Sequence, residues 1–89
     1  MISWDRGEMS REESEDQLSG DLVGGFLVRV SKGQKVLSLK DVGRVKHIKL
    51  TESNNQISGD GNVFFNNINE LIEYYKRNSI PGTNNVRLR

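Results

Sequence analysis

Cysteine is absent from these 89 residues and histidine occurs once. Without cysteine there is no disulfide framework and no thiolate metal site, and His47 alone does not build a structural zinc centre. The same scarcity speaks against an enzyme. There is no cysteine nucleophile, no second histidine to pair with the first, and no glycine-rich nucleotide loop of the expected form. We therefore expect no catalytic residue, no metal and no cofactor. Apolar runs are short as well, and none approaches the ~20 residues of a membrane span. Met1-Ile2-Ser3-Trp4-Asp5 has neither the basic start nor the apolar core of a signal peptide, so a cytoplasmic setting is expected. Hydrophobic residues make up only 34% of the chain, enough for one modest core and one domain.

Charge is plentiful but unevenly spread. Residues 1–25 carry two basic and seven acidic side chains, a balance of −5, while residues 26–50 carry seven basic and one acidic, a balance of +6. Residues 51–89 are balanced at four of each. A concentrated positive segment points to an anionic partner bound locally, the plainer alternative being that basic strands face the acidic first helix.

Local signals place that segment in a fold. Ser10-Arg11-Glu12-Glu13 has the Ser-x-x-Glu form of a capping box and predicts a helix running to about Leu18. Gly25 to Ser31 is apolar on both faces and predicts a central strand. A tight turn over Lys32-Gly33-Gln34-Lys35 leads to a second strand, Val36–Lys40, and a turn over Asp41–Arg44 leads to a third, Val45–Leu50. Thr51 to Gly61 is polar, with one short strand expected at Gln56-Ile57-Ser58. Asn67 with Glu70 caps a second helix, in which Ile68, Leu71, Ile72 and Tyr75 follow i, i+3, i+4, i+7 spacing. Val86–Leu88 is expected to return as a short strand. The order predicts an α+β fold, a central antiparallel β-sheet flanked by one α-helix on each face.

One residue does not fit a purely structural account. Arg29 sits inside the apolar run Phe26-Leu27-Val28-Arg29-Val30, where an unpartnered guanidinium costs several kcal/mol. Either a distant carboxylate such as Glu12 or Glu15 meets it, or an anion arrives from outside. Strand alternation puts Arg29 on one face with Leu27 and Ser31, and His47 with Lys49 on one face of the third strand. With Arg11 leaning over from the first helix, these residues can enclose a cavity. A guanidinium matches two phosphate oxygens, and cations beside it suit an aromatic ring. Ring and phosphate together make phosphotyrosine.

These residues, in this order, resemble the Src homology 2 (SH2) domain family over nearly the whole chain. Trp4-Asp5-Arg6-Gly7-Glu8-Met9-Ser10-Arg11 is similar to the family's opening. Gly24-Gly25 leads into its Phe-Leu-Val-Arg signature at Phe26-Leu27-Val28-Arg29, and Val45-Lys46-His47-Ile48-Lys49 is similar to its fourth-strand signature. Phe65, Ile68, Leu71, Ile72, Tyr74 and Tyr75 resemble its second helix.

The resemblance implies a non-catalytic, monomeric phosphotyrosine-recognition module for signalling, occupying residues 1–89 and cut from a longer protein. It implies a tyrosine-phosphorylated peptide or protein as partner, and neither nucleic acid nor a membrane span. Arg29 is then the phosphate-binding arginine, Arg11 and Lys49 flank the ring, and Ser31, Lys32, Gly33 and Lys35 form the phosphate-binding loop. His47 braces the pocket through backbone hydrogen bonds. Ile48, Ile57, Tyr75 and Ile80 are expected to line a hydrophobic groove for the residues after the phosphotyrosine, bordered by the Ser79–Asn85 loop. The alternative is a degenerate module of the same fold, binding phosphoserine, phosphothreonine or an unphosphorylated partner.

Overall fold

The computed structural model describes residues 4–89. Met1–Ser3, read above with the next two residues as unlike a signal peptide, lie outside the described residues. Eight elements follow one another: β1 (Asp5–Glu8), α1 (Arg11–Ser19), β2 (Phe26–Ser31), β3 (Gln34–Asp41), β4 (Arg44–Lys49), β5 (Thr51–Ser53), β6 (Gln56–Ser58) and α2 (Ile68–Arg77). A four-stranded sheet runs in the order β1-β2-β3-β4, with β5 and β6 as a separate hairpin. The α+β architecture expected from the sequence is present, with a sheet dominated by antiparallel pairs.

Both helix starts follow their capping chemistry. Ser10 Oγ accepts from the Glu13 N–H at 3.1 Å while Glu13 Oε1 accepts from the Ser10 N–H at 3.3 Å. Asn67 Oδ1 accepts from the Glu70 N–H at 2.9 Å.

The strand β1 was not anticipated, and its sequence Asp-Arg-Gly-Glu gives no period-two signal. Tertiary context supplies the reason. β2 is central and needs a partner for its outer backbone groups, so β1 pairs with it in parallel, its register shifting between Asp5 and Gly7. The Val28 N–H donates to the Trp4 carbonyl at 2.8 Å.

Other departures are small but consequential. The first turn is two residues, not four. Lys32 and Gly33 both take positive φ (52° and 78°), the signature of a type I′ hairpin, so β3 begins at Gln34. This turn fixes Ser31 opposite Gln34, and therefore Arg29 opposite Val36 and Leu27 opposite Ser38. Residues 86–88 do not form a strand. They dock as an extended segment, with the Ile80 N–H donating to the Val86 carbonyl and the Leu88 N–H to the Tyr75 carbonyl, both at 2.8 Å. The Arg89 N–H donates to the Gly24 carbonyl at 3.0 Å, and Gly24 (φ 93°) has no room for a side chain, since a Cβ there would lie 2.6 Å from the Arg87 carbonyl oxygen.

Alternation of side chains gives the sheet two unlike faces. Val28, Leu37 and Leu39 point to one side, where Leu71, Ile72 and Tyr75 of α2 meet them together with Leu50, Ile57, Ile80, Val86 and Leu88. Trp4, Phe26, Ile48, Phe65 and Ile68 pack around this core. The helix α1 lies on the opposite face, against β2, β3 and β4, with Ser14 and Leu18 buried beneath it.

Candidate anion-binding site

Residues paired across a sheet share a face. Register therefore lines up three rows under α1: Ser31 with Gln34, Arg29 with Val36 and Lys49, and Leu27 with Ser38 and His47. The two-residue turn at Lys32-Gly33 dictates these rows, and one residue of slippage would send Arg29 to the apolar face.

Arg29 is 4% exposed. Its Nε donates to Ser38 Oγ at 3.0 Å, Nη1 to the Met9 carbonyl at 3.2 Å, and Nη2 to His47 Nδ1 at 3.3 Å. Guanidinium nitrogens only donate, so Nδ1 of His47 is an acceptor. Its Nε2 then carries the hydrogen and donates to Glu15 Oε2 at 2.9 Å. Ser38 Oγ stands between them, accepting from Arg29 and donating to His47 Nδ1 at 2.9 Å. Glu15 is also held by Arg11 Nε at 3.3 Å. These bonds bear on the first possibility raised by the sequence, a distant carboxylate. Glu15 serves His47 and Arg11, and among the described residues no carboxylate forms a salt bridge with Arg29. They also correct the expected role of His47, which braces the site through its ring and not through backbone bonds.

A guanidinium has five N–H groups, and Arg29 uses three of them internally. One on each terminal nitrogen remains, a fork for an anion. Burial, and then the neighbouring Arg11 charge, lower the Arg29 pKa from the ordinary arginine value, while Glu15 acts the other way. Arginine stays charged under such shifts, and the site keeps a positive guanidinium that Glu15 offsets only from beyond His47, without a direct salt bridge. Glu15 responds in the opposite sense. Hydrogen bonds from His47 and then Arg11 hold its carboxyl below the usual value.

A cavity of about 310 Å³ opens here, lined by Arg11, Arg29, Ser31, Lys32, Gln34, Val36, His47 and Lys49. Four cationic side chains and no carboxylate face it. Six residues expected from the sequence are brought together: Arg11, Arg29, Ser31, Lys32, His47 and Lys49. Gly33 shapes the turn and does not line the cavity. Lys35 is misplaced by the sequence reading. It pairs with Val30, on the α2 face, and borders a different depression with Glu52, Asn55, Gln56, Ile57 and Ile68. A four-residue turn would have left its direction open, but the two-residue turn makes it a strand residue pointing away.

Gln34, Val36 and Ser38 were missed. Their register follows from the two-residue turn at Lys32-Gly33, in place of the four-residue turn expected from the sequence.

The expected groove is corrected more strongly. Ile57, Tyr75 and Ile80 are 4%, 2% and 3% exposed and belong to the core, where Val86 and Leu88 join them. Burial, with the Asp60 charge next, pushes the Tyr75 phenol up to about 12. Ile48 is half-buried against the same core, and Ile57 also borders a surface depression.

A family model of the SH2 domain matches residues 4–75. The chain belongs to the SH2 domain family. It is 38% identical over 80 residues to protein vav-1 of Caenorhabditis elegans, covering 86% of this chain and 8% of that protein. It is 38% identical over 88 residues to the tyrosine-protein kinase Abl of Drosophila melanogaster, covering 89% of this chain and 5% of the kinase. The chain thus spans less than a tenth of either relative. Among solved structures, the SH2 domain of the Monosiga brevicollis CRK/CRKL homolog superposes with a TM-score of 0.88 at 30% identity, covering all of this chain and 85% of that one. The SH2 domain of human proto-oncogene protein VAV1 superposes at 0.85 and 27% identity, covering 98% and 67%. SH2 domains are non-catalytic signalling modules that bind phosphotyrosine peptides. Among the described residues, no helix is long and apolar enough to cross a membrane.

Proposed function

We propose that this chain binds a phosphotyrosine peptide through Arg29, and that the cavity under α1 is the phosphotyrosine pocket. The observation that carries the reading is the buried Arg29 guanidinium, held on three sides by Ser38, Met9 and His47, with two N–H groups left toward a cavity that no carboxylate lines. The phosphate accepts that fork, with Ser31 Oγ and Lys32 beside it. Arg11 and Lys49 flank the ring, and Val36 gives it an apolar contact. The peptide crosses β4 in extended form. Its residues after the phosphotyrosine run toward Ile48 and the depression beyond it, where Ile57 and Ile68 offer an apolar floor inside a rim of Asn55, Gln56, Asn66 and Asn67.

Phosphate contributes about −1.5 to −2 charges at pH 7, and each charge-assisted bond is worth roughly 1.5–3 kcal/mol. Losing both fork bonds therefore weakens binding by at least about 100-fold. The test is a titration with one peptide in tyrosine, phosphotyrosine and phosphoserine forms. Saturable binding of the phosphotyrosine form, with the other two at least 100-fold weaker, is the expected result, and equal binding of the plain peptide would end the proposal. One feature supports a second reading. The two-residue turn offers fewer backbone N–H groups to a phosphate than a longer loop would, and preferential binding of the phosphoserine form would select a degenerate module of the same fold.

A further inference from the structure

A second basic cavity, of about 440 Å³, lies beside the first on the α1 face, lined by Arg11, Glu15, Ser19, Lys40, Gly43, Arg44 and Val45. Arg11 borders both cavities, and the His47–Glu15 hydrogen bond forms the wall between them. The sheet register explains the adjacency. Lys49, His47 and Val45 follow one another along the same face of β4, and Val45 stands opposite Lys40. Two residues of strand advance about 6.6 Å, so the Val45–Lys40 row lies roughly 13 Å from the Lys49–Arg29 row along the strand, within the span of four extended peptide residues.

The charges of this second cavity are not used up internally. Its one carboxylate, Glu15, is already bound by His47 and Arg11. The Lys40 ammonium donates to the Ser19 carbonyl at 3.0 Å, a neutral acceptor at the end of α1. Arg44 is exposed, and among the described residues it forms no salt bridge. The cavity therefore keeps two cations that no carboxylate answers. Neither belongs to the phosphate pocket.

We infer that the Lys40–Arg44 cavity receives an acidic side chain from the few residues preceding the phosphotyrosine. The inference rests on the binding reading above. If the residues after the phosphotyrosine run toward Ile48 on the α2 side, those before it leave over the α1 side, where this cavity opens. Solvent-exposed ion pairs are modest and screened by salt. The preference is accordingly a matter of fold-changes that fade as salt rises, not of binding or no binding.

Fluorescence polarisation tests this with three phosphotyrosine peptides that are identical from the phosphotyrosine onward and carry three Glu, three Ala or three Lys before it. The parent chain, Arg44→Gln, and Lys40→Gln with Arg44→Gln are compared at low and high salt, with circular dichroism to check folding. The parent should bind the Glu peptide about fivefold tighter than the Ala peptide at low salt, with the Lys peptide weakest and the differences collapsing at high salt. The double variant should bind the Ala peptide as the parent does and lose the preference for Glu, and Arg44→Gln should lose part of it. A parent that treats the Glu and Ala peptides alike while binding both overturns the inference and leaves the phosphotyrosine reading standing. So does a Glu preference that persists in the folded double variant. Failure of all three phosphopeptides to bind the parent overturns the phosphotyrosine reading and the inference with it.

Discussion

The two faces of one sheet are built on opposite chemistry. On the α2 face, Val28, Leu37 and Leu39 meet Leu71, Ile72 and Tyr75 in a continuous apolar core. On the α1 face, the same three strands present Arg29, Ser38 and His47, joined to Glu15 by hydrogen bonds and opening onto a cationic cavity. Adjacent residues of β2 take part in both: Val28 is core and Arg29 is site. The difference teaches how a small domain tolerates a buried, unneutralised charge. Apolar burial on one face supplies the stability, and the desolvated guanidinium on the other is held by neutral partners, Ser38, Met9 and His47. Stability and binding should therefore respond to different faces.

Two substitutions test that claim most severely. Arg29→Ala is expected to weaken phosphotyrosine-peptide binding by at least about 100-fold, measured by calorimetry, while thermal unfolding still shows one cooperative transition. Leu71→Ala, at a site with no exposed surface, is expected to destabilise the fold by about 2–5 kcal/mol, read from denaturant unfolding, with the affinity of the still-folded fraction little changed. If Arg29→Ala unfolds the protein, or Leu71→Ala disables binding in folded material, the division between the faces is wrong.

Acid should act on the α1 face. The Glu15 carboxyl is held below its ordinary value of 4.5 by its bonds to His47 and Arg11. A depressed folded pKa means that Glu15 adds stability above pH 4.5, and that this contribution is lost as pH falls from there through the lowered value. Glu15→Gln should therefore flatten the acid limb of a stability-versus-pH curve, and an unchanged limb would mean that the Glu15–His47–Arg11 cluster adds nothing to folding.

The smallest expected effect concerns the turn. Lys32 occupies a left-handed conformation (φ 52°) that Asn adopts more readily. Lys32→Asn should raise stability by up to about 1 kcal/mol, while removing one cation from the phosphate cavity and weakening peptide binding modestly. A gain in stability without any loss of affinity would exclude Lys32 from phosphate contact.

Much of this was legible beforehand because it is local. The capping box at Ser10, the N-cap at Asn67 and the spacing of Ile68, Leu71, Ile72 and Tyr75 depend on neighbours within one or two turns. Arg29 stood out because a charge inside an apolar run is anomalous in any fold. What was not legible depends on distant partners. β1 forms because β2 needs an outer neighbour, not because its own residues prefer a strand. Lys35 was misread because its direction hinges on a turn shorter by two residues. Tyr75 and Ile80 were taken for groove residues because aromatic and aliphatic side chains look alike whether a later segment covers them or not.

The sequence by itself therefore determined the helices, the three-strand meander, the family and the buried arginine that is out of place in its strand, since each follows from short-range pattern or from a residue out of place. Only the tertiary structure decided who holds that arginine. Register and the packing of α1 choose Ser38, Met9 and His47 as its partners, give Glu15 to His47 and Arg11, and leave the guanidinium fork free, because hydrogen-bond partners are assigned by distances between strands that no local signal contains.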